Sequence, residues 1–258
     1  MENAESIQKY LRQFNADISR LEICEFHEIV IAKHAFKSGN KIKLCINSEE
    51  HYGTASFPMK DKHSQYYCAT CKHVTVSSEF EIETDDGITL PACEYYESKD
   101  LDFSLLKLQN LQKNNIFCRH GIRTEEDCFV SGEILDNDIL PNEGHVVYKW
   151  GATTGLTEGH YKGIICTKKI ENEKYDIETF IIEGNSGDFS KPGDSGALVC
   201  MKPDSNVFTR YMAAFVLIGE LNGFDGMIYT NMHACYRVSV PLMEMEKNNL
   251  CSNIKPCF

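Results

Sequence analysis

From His27 onward the hydrophobic period is short and extended, and that period decides what the chain can fold into. Residues 28–32, 41–46, 52–57, 66–74, 79–83 and 88–93 form one series of strand-like runs. Residues 129–134, 145–150, 161–167, 177–183, 197–201, 212–219 and 227–231 form a second. Turn chemistry such as Ser38-Gly39-Asn40 and Asp86-Gly87 separates them, supplying backbone angles that bulkier residues resist. Many short strands with a turn every ten or so residues make a barrel or a sandwich, not a parallel sheet with crossover helices. The run 101–108 sets Asp102 at the head of an apolar strand, after which 109–127 turns polar and loses its periodicity. That stretch reads as a linker. The expected division is therefore a segment 1–25, a first barrel 26–118 and, after the linker, a second barrel with a closing helix in 119–258.

Only the ends read as helical. Ile7, Leu11, Phe14, Ile18 and Leu21 recur three or four residues apart, which puts one apolar stripe on a helix. The stripe reads as a helix packed across a barrel, the alternative being a dock for a regulatory partner or neighbouring domain. Pro241 to Lys247 reads as a closing helix with Pro241 in its first turn.

At 258 residues the chain is long enough for one large domain or two barrels sharing an interface. A net charge of −12 disfavours nucleic acid, whose binding needs concentrated Lys and Arg. No run approaches the roughly 18 apolar residues a membrane span needs. The first residues, Met1-Glu2-Asn3-Ala4-Glu5-Ser6, lack the basic and apolar regions of a secretory signal. The 12 cysteines are irregularly spaced and several sit inside apolar runs, as Cys45 and Cys166 do, so reduced thiols and a cytoplasmic location are expected.

The chemistry gathers at Phe189-Ser190-Lys191-Pro192-Gly193-Asp194-Ser195-Gly196. A serine nucleophile needs a tight turn that projects its Oγ and aims backbone N–H groups at a developing oxyanion. Gly193 and Gly196 permit such a turn, and the apolar run Ala197-Leu198-Val199 anchors it. A glycine-flanked serine in a surface turn is also common in β proteins. A base and an orienting carboxylate must be found upstream, and His73 and Asp102 stand in that order beside strands. Cys68-x-x-Cys71-x-His73 offers a zinc reading. On a strand Cys68 would point away from the other two, so no metal or cofactor is expected.

With His73, Asp102 and Ser195 in this order, the chain resembles the chymotrypsin-like (trypsin-like) serine peptidases over 28–246, and in particular non-secreted trypsin-like domains of invertebrates and fungi. Thr70-Cys71-Lys72-His73-Val74 is similar to that family's histidine segment, and Asp102-Phe103-Ser104-Leu105-Leu106 to its aspartate segment. Gly193-Asp194-Ser195-Gly196 matches its nucleophile loop, and Gly151-Ala152-Thr153-Thr154-Gly155-Leu156-Thr157 a segment of its non-secreted members. The resemblance implies an all-β fold of two six-stranded antiparallel barrels. It implies an intracellular serine endopeptidase acting on protein or peptide through His73, Asp102 and Ser195, with Gly193 and Ser195 as the oxyanion hole. Phe189, Ser190, Gly219, Gly226 and His233 would line the substrate pocket and take an apolar or aromatic side chain. Lys72, where relatives carry a small residue, keeps a catalytically silent binding module as the alternative. The cleavage site from which secreted relatives make a new amino terminus is missing, so Asp194 must find another partner.

Overall fold

The computed structural model describes residues 34–46, 49–76, 79–111, 116–167, 177–185, 187–204, 208–221, 230–247 and 253–258. All fall within one compact unit, Ala32–Phe258. The helical stripe expected at 6–21 lies outside the described residues.

Chain order gives β1 (His34–Phe36), β2 (Lys41–Ile46), β3 (Glu49–Thr54), β4 (Pro58–Lys60), β5 (Tyr66–Thr70), β6 (Glu79–Glu83), β7 (Thr89–Glu97) and β8 (Ser104–Leu108). Short β9 (Ile116–Cys118), β10 (Ile122–Arg123) and β11 (Phe129–Val130) follow, two of them inside the stretch expected to be a linker. Then come β12 (Gly132–Ile134), β13 (Val146–Gly151), β14 (Gly155–Thr167), β15 (Ile177–Gly184), β16 (Leu198–Met201), β17 (Tyr211–Glu220) and β18 (Met232–Arg237). Helix α1 (Ser239–Lys247), with Pro241 in its first turn, and a two-residue β19 (Lys255–Pro256) end the chain.

The later strands form a sheet in the order β12-β17-β16-β13-β14-β15-β18, which closes through an additional β17–β18 ladder. The closed part is a six-stranded antiparallel barrel, with β12 added in parallel along β17. Closure depends on the ten-residue β17, whose register shift between Leu217 and Gly219 bends it from β16 toward β18. Tyr161, Phe180 and Phe215 fill the barrel, with ring centroids 4.8 Å apart for Phe180–Phe215 and 6.0 Å for Tyr161–Phe215.

The earlier strands do not close. They form an eight-stranded sheet in the order β19-β4-β5-β8-β7-β6-β2-β3, open at β19 and β3. The expectation of two six-stranded barrels of the chymotrypsin type is thereby corrected to one closed barrel and one open eight-stranded sheet, with β1–β9 and β10–β11 as separate two-stranded sheets. The edges supply the reason. Glu49, Glu50, His51 and Tyr52 leave most of β3 exposed and charged, as unpaired edge strands commonly are. At the other edge β19 has only two residues, and Pro256 has no N–H to give.

One core of buried residues spans both sheets, from Phe57, Leu105 and Leu106 to Leu198 and Val216. At its rim Thr54, the last residue of β3, joins them. Its N–H donates to the Ser195 carbonyl at 2.8 Å and its hydroxyl to the Gly193 carbonyl at 2.8 Å. The Gly193–Ser195 turn is thus held from the opposite sheet.

Candidate active site

β5 runs buried up to Thr70 and Cys71, and a single 3-10 turn, Lys72–Val74, then lifts His73 out of the sheet. Val74 is buried beneath the turn, so the imidazole emerges from a fixed base. Asp102 stands just ahead of β8, pinned by the fully buried Phe103. The carboxylate grips His73 twice. One oxygen accepts the His73 main-chain N–H at 2.9 Å and the other lies 2.6 Å from Nδ1. Burial pushes the Asp102 carboxyl up. The His73 ring and main-chain N–H, with a smaller contribution from the Cys71 thiol, outweigh that and hold it below the usual carboxylate value. A carboxylate held ionised here orients the ring so that Nε2 is the free nitrogen.

Ser195 sits in a turn whose two glycines have φ of +98° at Gly193 and +91° at Gly196. Only glycine takes these angles without strain. A Cβ at Gly196 would strike the Thr54 carbonyl oxygen and the Thr70 hydroxyl. The Ser195 hydroxyl donates to the Ile218 carbonyl at 2.8 Å. Ser195 and His73 line the same cleft, together with Glu50, His51, Tyr52 and Gly193. Lys72 does not join them, because its ammonium binds Glu97 and donates to the Ser98 carbonyl at 3.1 Å.

The partner that Asp194 needed is Lys149, a residue sequence reasoning did not single out. Both side chains are fully buried, with Nζ 3.3 Å from a carboxylate oxygen. Asp194 also accepts from the Thr153 N–H at 2.8 Å, the Thr154 N–H at 3.1 Å, the Thr154 hydroxyl at 2.7 Å and the Lys191 N–H at 3.0 Å. Burial raises the carboxyl, but the Lys149 charge and these donors hold it below its ordinary value. Burial lowers Lys149, with Asp194 opposing. The segment Gly151 to Thr157, noted for its pattern alone, is what wraps this carboxylate.

The expected substrate-pocket residues divide. Phe189 is buried against the His233 ring at 5.1 Å rather than facing a cleft. His233 is also buried, with Nδ1 2.9 Å from the Ser190 hydroxyl and Nε2 3.2 Å from the Asn231 amide oxygen. Burial and the nearby Lys149 charge push its pKa down to about 4, so the ring is neutral at physiological pH. A Cβ on Gly219 would meet open space, and Gly226 lies outside the described residues. Of the zinc reading's three residues, Cys71 and His73 come together, and the third neighbour is Asp102, not Cys68. The ligand atoms of Cys71, His73 and Asp102 all lie within 4.8 Å of one another.

The fold is similar to that of solved proteases. Nocardiopsis protease (NAPase) matches with a TM-score of 0.54 at 12% identity, over 87% of this chain and 100% of its own. Thermobifida fusca Protease A matches at 0.53 and 14%, over 86% and 98%. A glutamic acid specific serine protease that uses a histidine triad in substrate binding matches at 0.53 and 14%, over 86% and 100%. No curated protein matches the sequence. Two expectations are corrected here. The cytoplasmic location does not stand: the proteases of similar fold give it no support, and unpaired cysteines do not by themselves fix a compartment. The resemblance to chymotrypsin-like (trypsin-like) peptidases of invertebrates and fungi gives way to a different family. The model of peptidase family S64 matches residues 90–231, more than half of the 258 residues, and the chain belongs to that family.

Proposed function

We propose that this chain is a serine endopeptidase in which Ser195 attacks the scissile carbonyl, His73 takes and returns the proton, and Asp102 orients the ring. The observation that carries the reading is the double grip of Asp102 on His73, at 2.9 and 2.6 Å, in the wall of the cleft that Ser195 also lines. In the reaction the Ser195 hydroxyl leaves the Ile218 carbonyl and turns to Nε2, which accepts its proton as the Oγ–carbon bond forms. The proton then passes to the leaving amine, and a water repeats the cycle on the acyl-enzyme. Gly193 and Ser195 donate to the oxyanion. In the turn the Asp194 and Gly196 N–H groups are already committed to the Lys191 and Leu217 carbonyls at 2.9 and 2.8 Å, which supports that assignment. The substrate is protein or peptide. An acidic or amide P1 side chain would find a polar partner in the Ser190 hydroxyl, which pairs with His233 Nδ1, in place of the apolar or aromatic side chain expected from sequence.

Reaction of the purified chain with a fluorophosphonate probe tests the reading. Labelling of the wild type, lost in Ser195→Ala and insensitive to a chelator, is the expected result. A well-folded wild type that never labels would instead favour the binding module. A peptide library then reads P1, and a strict aliphatic preference would sink the Ser190–His233 assignment.

A further inference from the structure

Cys71 has no part in the peptidase reaction, yet its thiol lies directly behind the triad. It is fully buried, donates to the Leu217 carbonyl at 3.2 Å and also touches the Asp102 carboxylate. Sulfur, imidazole nitrogen and carboxylate oxygen, all within 4.8 Å of one another, make a donor set that suits zinc. Three ligands spaced for a tetrahedron about a zinc ion stand roughly 3.3 to 3.8 Å apart, given bond lengths of about 2.0 to 2.3 Å. Seating the ion requires Nδ1 and the carboxylate oxygen, now 2.6 Å apart, to open to that spacing, a motion for which the 48% exposed His73 side chain leaves room. A second observation points the same way. The buried Tyr236 hydroxyl has no well-formed hydrogen bond among the described residues and stands beside the Cys71 sulfur. A phenol there would donate to a thiolate, the outer-shell support that metal-bound sulfur commonly receives.

We propose that Cys71, His73 and Asp102 form an inhibitory site for a divalent cation of zinc type. Binding replaces the Cys71 S–H bond with an S–metal bond and releases that proton to solvent, with no change of oxidation state. The metal takes the Nδ1 lone pair, so the ring proton moves to Nε2. His73 can then no longer accept the Ser195 proton. Metal binding is independent of the peptidase reading, and only its inhibitory consequence rests on it.

The test uses the full chain, cobalt(II) as a spectroscopic probe and zinc(II) as competitor. In the wild type, cobalt should give a thiolate-to-metal charge-transfer absorption that one equivalent of zinc removes, and zinc should slow fluorophosphonate labelling. Cys71→Ala should bind cobalt at least about 10-fold more weakly, no less than the loss of an outer-shell partner typically costs. Its labelling, relative to its own zinc-free rate, should become correspondingly less sensitive to zinc. Cys71→Ser, nearer in volume and polarity, guards against an alanine variant that fails to fold, and should lose the sulfur band while retaining the fold. No sulfur band in the wild type, or an equal band and equal zinc sensitivity in the variants, overturns the proposal. A chain that never labels but shows the Cys71-dependent band retains the metal site and loses the peptidase reading.

Discussion

Replacing Lys149 with methionine would remove the buried cation paired with Asp194 while keeping most of the buried volume. At 3.3 Å and an effective dielectric of about 20, the direct attraction between the two charges is ~5 kcal/mol. Removing one partner of a buried pair usually costs about 3 to 5 kcal/mol, because the other charge remains buried. Asp194 keeps the Thr153 and Lys191 N–H donors and the Thr154 N–H and hydroxyl, which places Lys149→Met at the lower end, about 3 kcal/mol. Part of that loss should appear as global stability in urea. Part should appear as a displaced nucleophile loop, since Asp194 is the neighbour of Ser195 and its side chain holds the turn from within. If the whole 3 kcal/mol went into the loop, labelling would slow by roughly 100-fold. A double-mutant cycle with Asp194→Asn separates the pair from each residue's other contacts. A coupling energy below about 0.5 kcal/mol, with labelling at the wild-type rate, would refute the claim that this pair sets the loop.

Three further substitutions probe other parts of the site. Gly196→Ala at φ +91°, with the Thr54 carbonyl and Thr70 hydroxyl in the way, should cost about 3 kcal/mol or more and abolish labelling; a mild loss by urea unfolding would argue against the turn geometry. Asp102→Asn should leave His73 held in the wrong tautomer and reduce kcat on a peptide substrate by about four decades, and a loss below tenfold would remove Asp102 from the mechanism. His233 is held neutral by burial, with a pKa of about 4 against 6.5 for the ordinary ring. Because the folded value is the lower one, its contribution is fully present above pH 6.5 and lost as pH falls toward 4, by roughly 3 kcal/mol over the window. Unfolding measured between those pH values should show that slope, and His233→Gln should flatten it.

The candidate site can be read in sequence to the extent that its residues are organised locally. His73, Asp102 and Ser195 each sit where a strand begins or ends, and the strand pattern and the loop glycines mark such places without knowledge of the rest of the fold. Barrel closure is a different kind of quantity. It depends on whether two edges distant in the chain can pair, and a run such as 52–57 looks equally strand-like whether its outer side is paired or bare. The exposed Glu49 and Glu50 and the proline in β19 decide the matter in the first sheet, and the bulge in β17 decides it in the second. Lys149 lies between these cases. Alternation along β13 places it on the same side as the fully buried Val147, so a lysine in that register is a cation directed inward. A cation directed inward requires a buried anion. Asp194, the carboxylate beside Ser195 for which the sequence offered no partner, is that anion.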